Sequence, residues 1–162
     1  MTGDATRPLG GTDRAATSAL TTVLTAAITT VLISGILIAG GQLVEDQRGN
    51  SIDRQLETIG ERLVEELVRA EQIAAAGSNV RVSFETNHVE QVAGSGYAVS
   101  LAADPSCPGD ADGCLTLRSV EPTVEVTIPF DSDVPVGPGS ASGGAVRVVF
   151  DGQLTIEGGG SS

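Results

Sequence analysis

From Ala15 to Val44 the chain has no charged residue, and this stretch, AATSALTTVLTAAITTVLISGILIAGGQLV, constrains everything that follows it. Arg14 closes it on one side, Glu45 and Asp46 on the other. As a helix, ~30 residues span about 45 Å, against about 30 Å of bilayer hydrocarbon. Roughly 20 of them, near Leu20–Ala39, suffice to cross. Lipid offers a single segment no hydrogen-bond partners, so a helix is the form it must take there. The sequence therefore predicts a transmembrane or assembly helix over residues 16–44, preceded by a polar leader over residues 1–15.

Small side chains recur along this segment. Ser18, Thr22, Ala26, Thr30 and Ser34 are spaced by four, Thr21, Thr25 and Thr29 form a neighbouring stripe, and Gly35 with Ala39 continues the pattern. Small residues let helix backbones approach closely, and hydroxyls can bond across the contact. The alternative is a lone anchor whose hydroxyls bond back to their own helix.

Charge narrows the partners. All nine basic residues are Arg, and 21 Asp and Glu bring the net charge to −12. Arg7 and Arg14 balance Asp4 and Asp13 before the apolar segment, so the residues after it carry the whole negative charge. Such a surface repels nucleic acid and anionic lipid. Dense carboxylates without Lys match the composition of proteins from salt-loving archaea. Arg14 abuts the apolar run on one side and acids begin on the other, which places the N-terminus in the cytoplasm and the bulk outside.

Three leader types compete. A secretory signal has an apolar core of about 7–15 residues and a small-residue cleavage site, and this run is twice as long. No Cys follows it, which excludes a lipoprotein signal. The third type is cut before the apolar segment. Asp13-Arg14-Ala15, followed by the Ala/Thr/Ile/Val run from Ala16, resembles the class III signal of haloarchaeal type IV pilins and archaellins. The resemblance covers about the first third of the chain. It implies processing at Arg14, Ala15 and Ala16, and a liberated helix that packs with other pilin-like subunits. The Ser-Pro-Val-Ile-Gly common in such segments is replaced by Thr17-Ser18-Ala19-Leu20-Thr21, and Leu20 stands where bacterial pilins carry Glu. The resemblance therefore implies a minor subunit in preference to a major one.

After Val44 the pattern becomes amphipathic. Ile52, Leu56, Ile59, Leu63, Leu67, Ala70 and Ile73 step by three or four along one helix face. Asp53, Glu57, Glu61, Glu65 and Arg69 lie on the other. This predicts an amphipathic helix over residues 45–77, nearly continuous with the first, bent at Gly40-Gly41 or Gly49, weakened at Gly60 and stopped at Gly77. Its apolar stripe is expected to pack on the chain's own β domain.

From Ser78 onward six segments alternate or run β-branched: Val80–Thr86, Tyr97–Ala103, Cys114–Ser119, Thr123–Phe130, Ala145–Phe150 and Gln153–Glu157. Asp151-Gly152 reads as a tight hairpin turn, Val134–Gly144 as a flexible loop and residues 158–162 as a disordered tail. The fold class expected is α+β: a long N-terminal helix followed by a small antiparallel sheet or sandwich over residues 78–157.

Cys107 and Cys114 are the two cysteines of the chain, seven residues apart. On the outer side of a membrane they most simply form a disulfide, with a metal pair as the alternative. Asp104, Asp110 and Asp112 nearby read as solvated acids in preference to a cation loop, because the full Ca²⁺ pattern is absent. His88, the one histidine, reads as a surface turn residue. No nucleophile motif, phosphate loop or metal-ligand spacing stands out, so neither catalysis, a cofactor nor a small-molecule substrate is expected.

Two functional readings remain. One is a structural cell-surface protein, a pilin-like subunit held by membrane lipid and then by other subunits through its N-terminal helix. Its place is the cell membrane, or an extracellular filament after processing. The other is a single-pass anchor carrying a binding or sensory ectodomain.

Overall fold

A computed structural model describes residues 12–77, 80–104 and 107–160, with side chains from residue 19 onward. The chain divides into two units, Met1–Glu45 and Asp46–Ser162. One helix, α1 (Thr12–Ala75), contributes to both. The helix starts four residues before the proposed Ala16 boundary and runs without interruption through Gly40, Gly41, Gly49 and Gly60.

In the first unit every described side chain is exposed. Ala and Leu favour this helix, whereas its many Thr, Val and Ile have weaker propensity. Thr25, Thr29, Thr30 and Ser34 bond their hydroxyls to carbonyls one turn back in the same helix.

The second unit is an α+β domain. After α1 come β1 (Val82–Asn87), β2 (Gln91–Val92), β3 (Ser95–Ala102), β4 (Gly113–Ser119), β5 (Glu125–Phe130), β6 (Gly139–Ser142), β7 (Ala145–Phe150) and β8 (Leu154–Gly158). They form one sheet in the order β1-β7-β8-β6-β3-β4-β5, with β2 paired to β3. All pairings are antiparallel except β6 with β8, which is parallel.

The apolar stripe of α1 lies against one face of this sheet. Ile52, Leu56, Leu63, Leu67 and Ala70 are completely buried, together with Val99, Leu115, Leu117, Val146, Val148 and Leu154 from the strands. Register places these strand residues on the same face: Val99 opposes Leu117, and Val148 opposes Ile156. Both edge strands reach the helix. On β1, Thr86 Oγ1 donates to Glu66 Oε1 at 3.4 Å. On β5, Ile128 packs beside Gly60. The sheet thus curves around α1, which is how one helix and one sheet layer make a core with three Phe, one Tyr and no Trp.

Several expectations are corrected. Ile73 is 46 % exposed and Ala74 takes the last buried position, because helical spacing allows either step and the smaller side chain fits where α1 ends. Bonds from Ala76 N–H to the Ile73 carbonyl and from Gly77 N–H to the Ala74 carbonyl tighten that final turn. The segment expected to be a flexible loop contains β6, a strand inside the sheet between β8 and β3. Gly139 permits this, since a Cβ there would stand 2.7 Å from the Ile156 backbone nitrogen. Gly158, assigned to a disordered tail, belongs to β8, and Ser161 and Ser162 lie outside the described residues. The hairpin between β7 and β8 forms as expected, with Phe150 opposite Leu154 and Gly152 at φ +81°.

Candidate assembly segment and the surfaces of the β domain

Residues Ala19 to Val44 expose every side chain, bulky ones included: Val31 and Ile36 are each 71 % exposed. α1 is long and apolar enough to cross a membrane. Of the small-residue stripe, Thr22, Ala26, Thr30, Ser34, Gly35 and Ala39 are all exposed, and a Cβ added at Gly35 would meet nothing within 4 Å. The Ser18 side chain lies outside the described residues. Thr25 donates to the Thr21 carbonyl, Thr29 to Thr25, Thr30 to Ala26 and Ser34 to Thr30, each at 2.8 Å. These back-bonds leave no hydroxyl proton of those four residues to a partner helix in this arrangement. What the stripe offers is close backbone approach, and a polar content already satisfied for entry into lipid.

The backbone of Arg14, Ala15 and Ala16 lies within α1, and their side chains are outside the described residues. Cys107 and Cys114 form a disulfide with Cα atoms 5.8 Å apart. The bond closes the connection from β3 to β4, in which a short 3-10 turn (Pro108–Asp110) follows Cys107. Among the described residues no three His, Cys, Asp or Glu side chains converge as metal ligands, so Asp110 and Asp112 stand apart from any such set. Asp112 instead accepts the Ser132 backbone N–H at 3.1 Å.

His88 lies in the connection between β1 and β2, between two strands as read from the sequence, but it is half-buried there and not a surface residue. Its backbone N–H donates to the Gly144 carbonyl at 3.0 Å, and its Nε2 lies 3.5 Å from Thr86 Oγ1. Burial pushes its pKa below the usual 6.5, with Glu66 opposing that shift and Arg62 reinforcing it. Burial likewise raises the Tyr97 phenol above its ordinary 10.0, and its hydroxyl donates to the Val89 carbonyl at 2.8 Å.

Two attachments of the sheet to α1 were not read from the sequence. Arg48 Nε–H donates to the Ala93 carbonyl, and the Ala93 N–H donates to Gln55 Oε1, both at 3.2 Å. Ala93 and Gly94 form the two-residue β2–β3 turn with φ of +45° and +77°. Such a turn usually carries Asn-Gly or Gly-Gly, so the Ala hid it. At the other end, Glu71 accepts the Asp133 N–H at 2.6 Å and the Ser132 hydroxyl at 3.3 Å.

Beside the Arg48–Ala93 attachment lies a groove of about 650 Å³, between α1 and the β1–β2 connection. Gln47, Asn50, Ser51, Arg54, Gln55, Thr58 and Ile59 line it from the helix, with Val89 opposite. No carboxylate lines it.

Compared with known proteins, the profile described as a family of unknown function (DUF7266) matches residues 11–157. No curated protein and no solved structure matches the chain.

Proposed function

The chain belongs to the DUF7266 family, and we propose that it is a structural cell-surface protein, a pilin-like subunit of minor type inserted through its N-terminal helix. The observation that carries this reading is the division of labour along α1. Residues 19–44 expose an apolar, uncharged surface, and none of their side chains is buried among the described residues, while residues 52–74 of the same helix contribute to the core of a β domain. A segment whose sole role was anchoring needs no stripe of small residues, whereas a segment that leaves lipid for a helical assembly gains close contacts from one. Arg14 would hold the leader at the cytoplasmic face. Cutting after Ala15 would free the helix for assembly outside.

A second reading, a fixed single-pass anchor bearing a binding ectodomain, draws support from the four back-bonded hydroxyls, which suit an isolated helix in lipid. N-terminal sequencing of the native protein separates the two. A start at Ala16, lost on Arg14→Leu, is the outcome expected of a processed subunit. A start at Met1 or Thr2 rejects it in favour of the anchor, and a start near Gln42 rejects both in favour of secretion.

A further inference from the structure

We propose that the groove beside Arg48 receives the Val120-Glu121 corner of a second copy of this chain. The contact joins β domains to one another. It therefore goes beyond the reading of the N-terminal helix as the assembly segment, and stands or falls separately from it.

Exposed apolar side chains mark both halves of the contact. Outside residues 19–44, the large hydrophobics exposed among the described residues are Ile73, Val89 and Val120. Val89, 58 % exposed, forms one wall of the groove, and Ile59 and Thr58 belong to the helical wall, so that the lining is mainly apolar. Val120, 72 % exposed, stands at the corner between β4 and β5. Its backbone is fixed there. The Val120 N–H donates to the Gly96 carbonyl at 2.9 Å, the Glu121 N–H to Ser95 Oγ at 3.0 Å and the Val124 N–H to Ser119 Oγ at 2.9 Å. An apolar side chain held outward on an ordered backbone loses little freedom on docking, which lowers the cost of association.

Charge selects this occupant. The exposed Glu121 follows Val120, whereas the groove carries Arg54 and no carboxylate. Neither Glu121 nor Arg54 takes part in the ion pairs found among the described residues. A chain of net charge −12 repels its own copies, and the groove is an acid-free opening in that surface. Placing Val120 against Ile59 and Val89 brings an unpaired carboxylate to an unpaired guanidinium, and their attraction strengthens as water leaves.

One copy does not fill its own groove. The β2–β3 hairpin bonds to both features, through Ser95 and Gly96 to the corner and through Ala93 to Gln55 in the groove wall. Val120 and Val89 nevertheless both stay exposed, so the contact falls between copies. A side chain that fits a pocket elsewhere on the same molecule joins one copy to the next. A single corner buries little area, so the contact is weak between dissolved copies and gains from their being held together.

The test uses the full chain in detergent micelles, with association followed by sedimentation at protein concentrations up to about 1 mM, the range in which tethered partners meet. The wild-type chain should associate as concentration rises, and Val120→Ala should weaken that association about ten-fold. Val120→Asp and Val89→Asp should each abolish it. Mixing those two variants should restore a two-chain complex, because one keeps the groove and the other the corner; this also shows that both fold. Glu121→Arg and Arg54→Glu should each weaken association, and the two together in one chain should recover it. Ile73→Ser, at an exposed apolar residue outside the contact, should change nothing. A wild-type chain that stays single throughout overturns the proposal, as does a mixture that forms no complex. A loss in Ile73→Ser equal to that in Val120→Ala overturns it in favour of general stickiness. Association that persists in every variant also overturns it, and leaves assembly to residues 19–44.

Discussion

Gly60 on α1 lies so close to Ile128 on β5 that a Cβ at position 60 would overlap the Ile128 Cδ1 and stand 2.8 Å from Leu117 Cδ1. The glycine that looks like a weak point in the helix is a place where helix and sheet approach closely. Elsewhere in a helix Gly→Ala is a gain, because Ala has the better propensity by about 1 kcal/mol. At Gly60 overpacking outweighs that gain, at about 1–3 kcal/mol.

Gly60→Ala should therefore lower the melting temperature, whereas Gly49→Ala, where an added Cβ meets nothing within 4 Å, should raise it. Adding Ile128→Val to Gly60→Ala removes the overlapping Cδ1 and should restore part of the loss. Thermal melts of the three variants check this. A gain in Gly60→Ala equal to that in Gly49→Ala would show that the sheet yields freely at this contact.

His88 sets a pH dependence. Burial holds its folded pKa below 6.5, so the unfolded chain binds a proton more readily than the folded one in the window between the two values. Stability contributed by the neutral ring is complete above about pH 6.5 and declines as pH falls through that window. Glu66 and Arg62 on α1 face the ring with opposite charges, so burial decides the sign. Melting temperature should fall on acidification from neutral pH, and His88→Gln should flatten the part of that fall near pH 6. An unchanged profile in His88→Gln would assign the acid sensitivity to the carboxylates.

Much of this architecture was legible in the residues. The apolar segment declares itself by the absence of charge between Arg14 and Glu45, and the stripe from Ile52 to Ala70 by helical spacing, because both signals are local. What was hidden depends on contacts distant in sequence. Gly139-Ser140-Ala141-Ser142 has no β-branched or aromatic residue, so nothing local marks β6. Its place follows from pairing with β3 and β8 on either side. The Ala93 turn that meets Arg48 and Gln55 is written with an Ala where a Gly or Asn would have signalled it. The groove, likewise, exists only once Val89 is brought beside α1, some thirty or more residues from the helical positions that line it.

The disulfide is a stability element. Cys107 and Cys114, with a sequence separation of 7, close a small loop, for which the lost entropy of the unfolded chain amounts to about 2–3 kcal/mol. The paired Cys107→Ser, Cys114→Ser variant should melt lower than the oxidised protein and match the protein under reducing agent. Equal melting of oxidised and reduced protein would place the whole effect elsewhere.

Salt dependence follows from where the acids stand. Asp53, Glu57, Glu61 and Glu65 line the exposed face of α1 at four-residue spacing, and none of them is in the ion pairs found among the described residues. Like charges one turn apart oppose a helix by about 0.2–0.5 kcal/mol for each pair. The net charge of −12 adds repulsion across the whole domain. Raising ionic strength from about 0.1 M to about 1 M shortens the screening length from about 10 Å to about 3 Å, shorter than the spacing of these carboxylates. The unit Asp46–Ser162, which has its own core, should accordingly melt higher in molar KCl or NaCl than in dilute buffer. Hydrophobic strengthening by salt would act in the same direction, so a charge variant is needed to separate the two. Glu57→Gln with Glu61→Gln should raise the melting temperature in dilute buffer and shrink the further gain on adding salt. A variant that leaves both quantities unchanged would mean that the column of acids on α1 does not limit the stability of this domain.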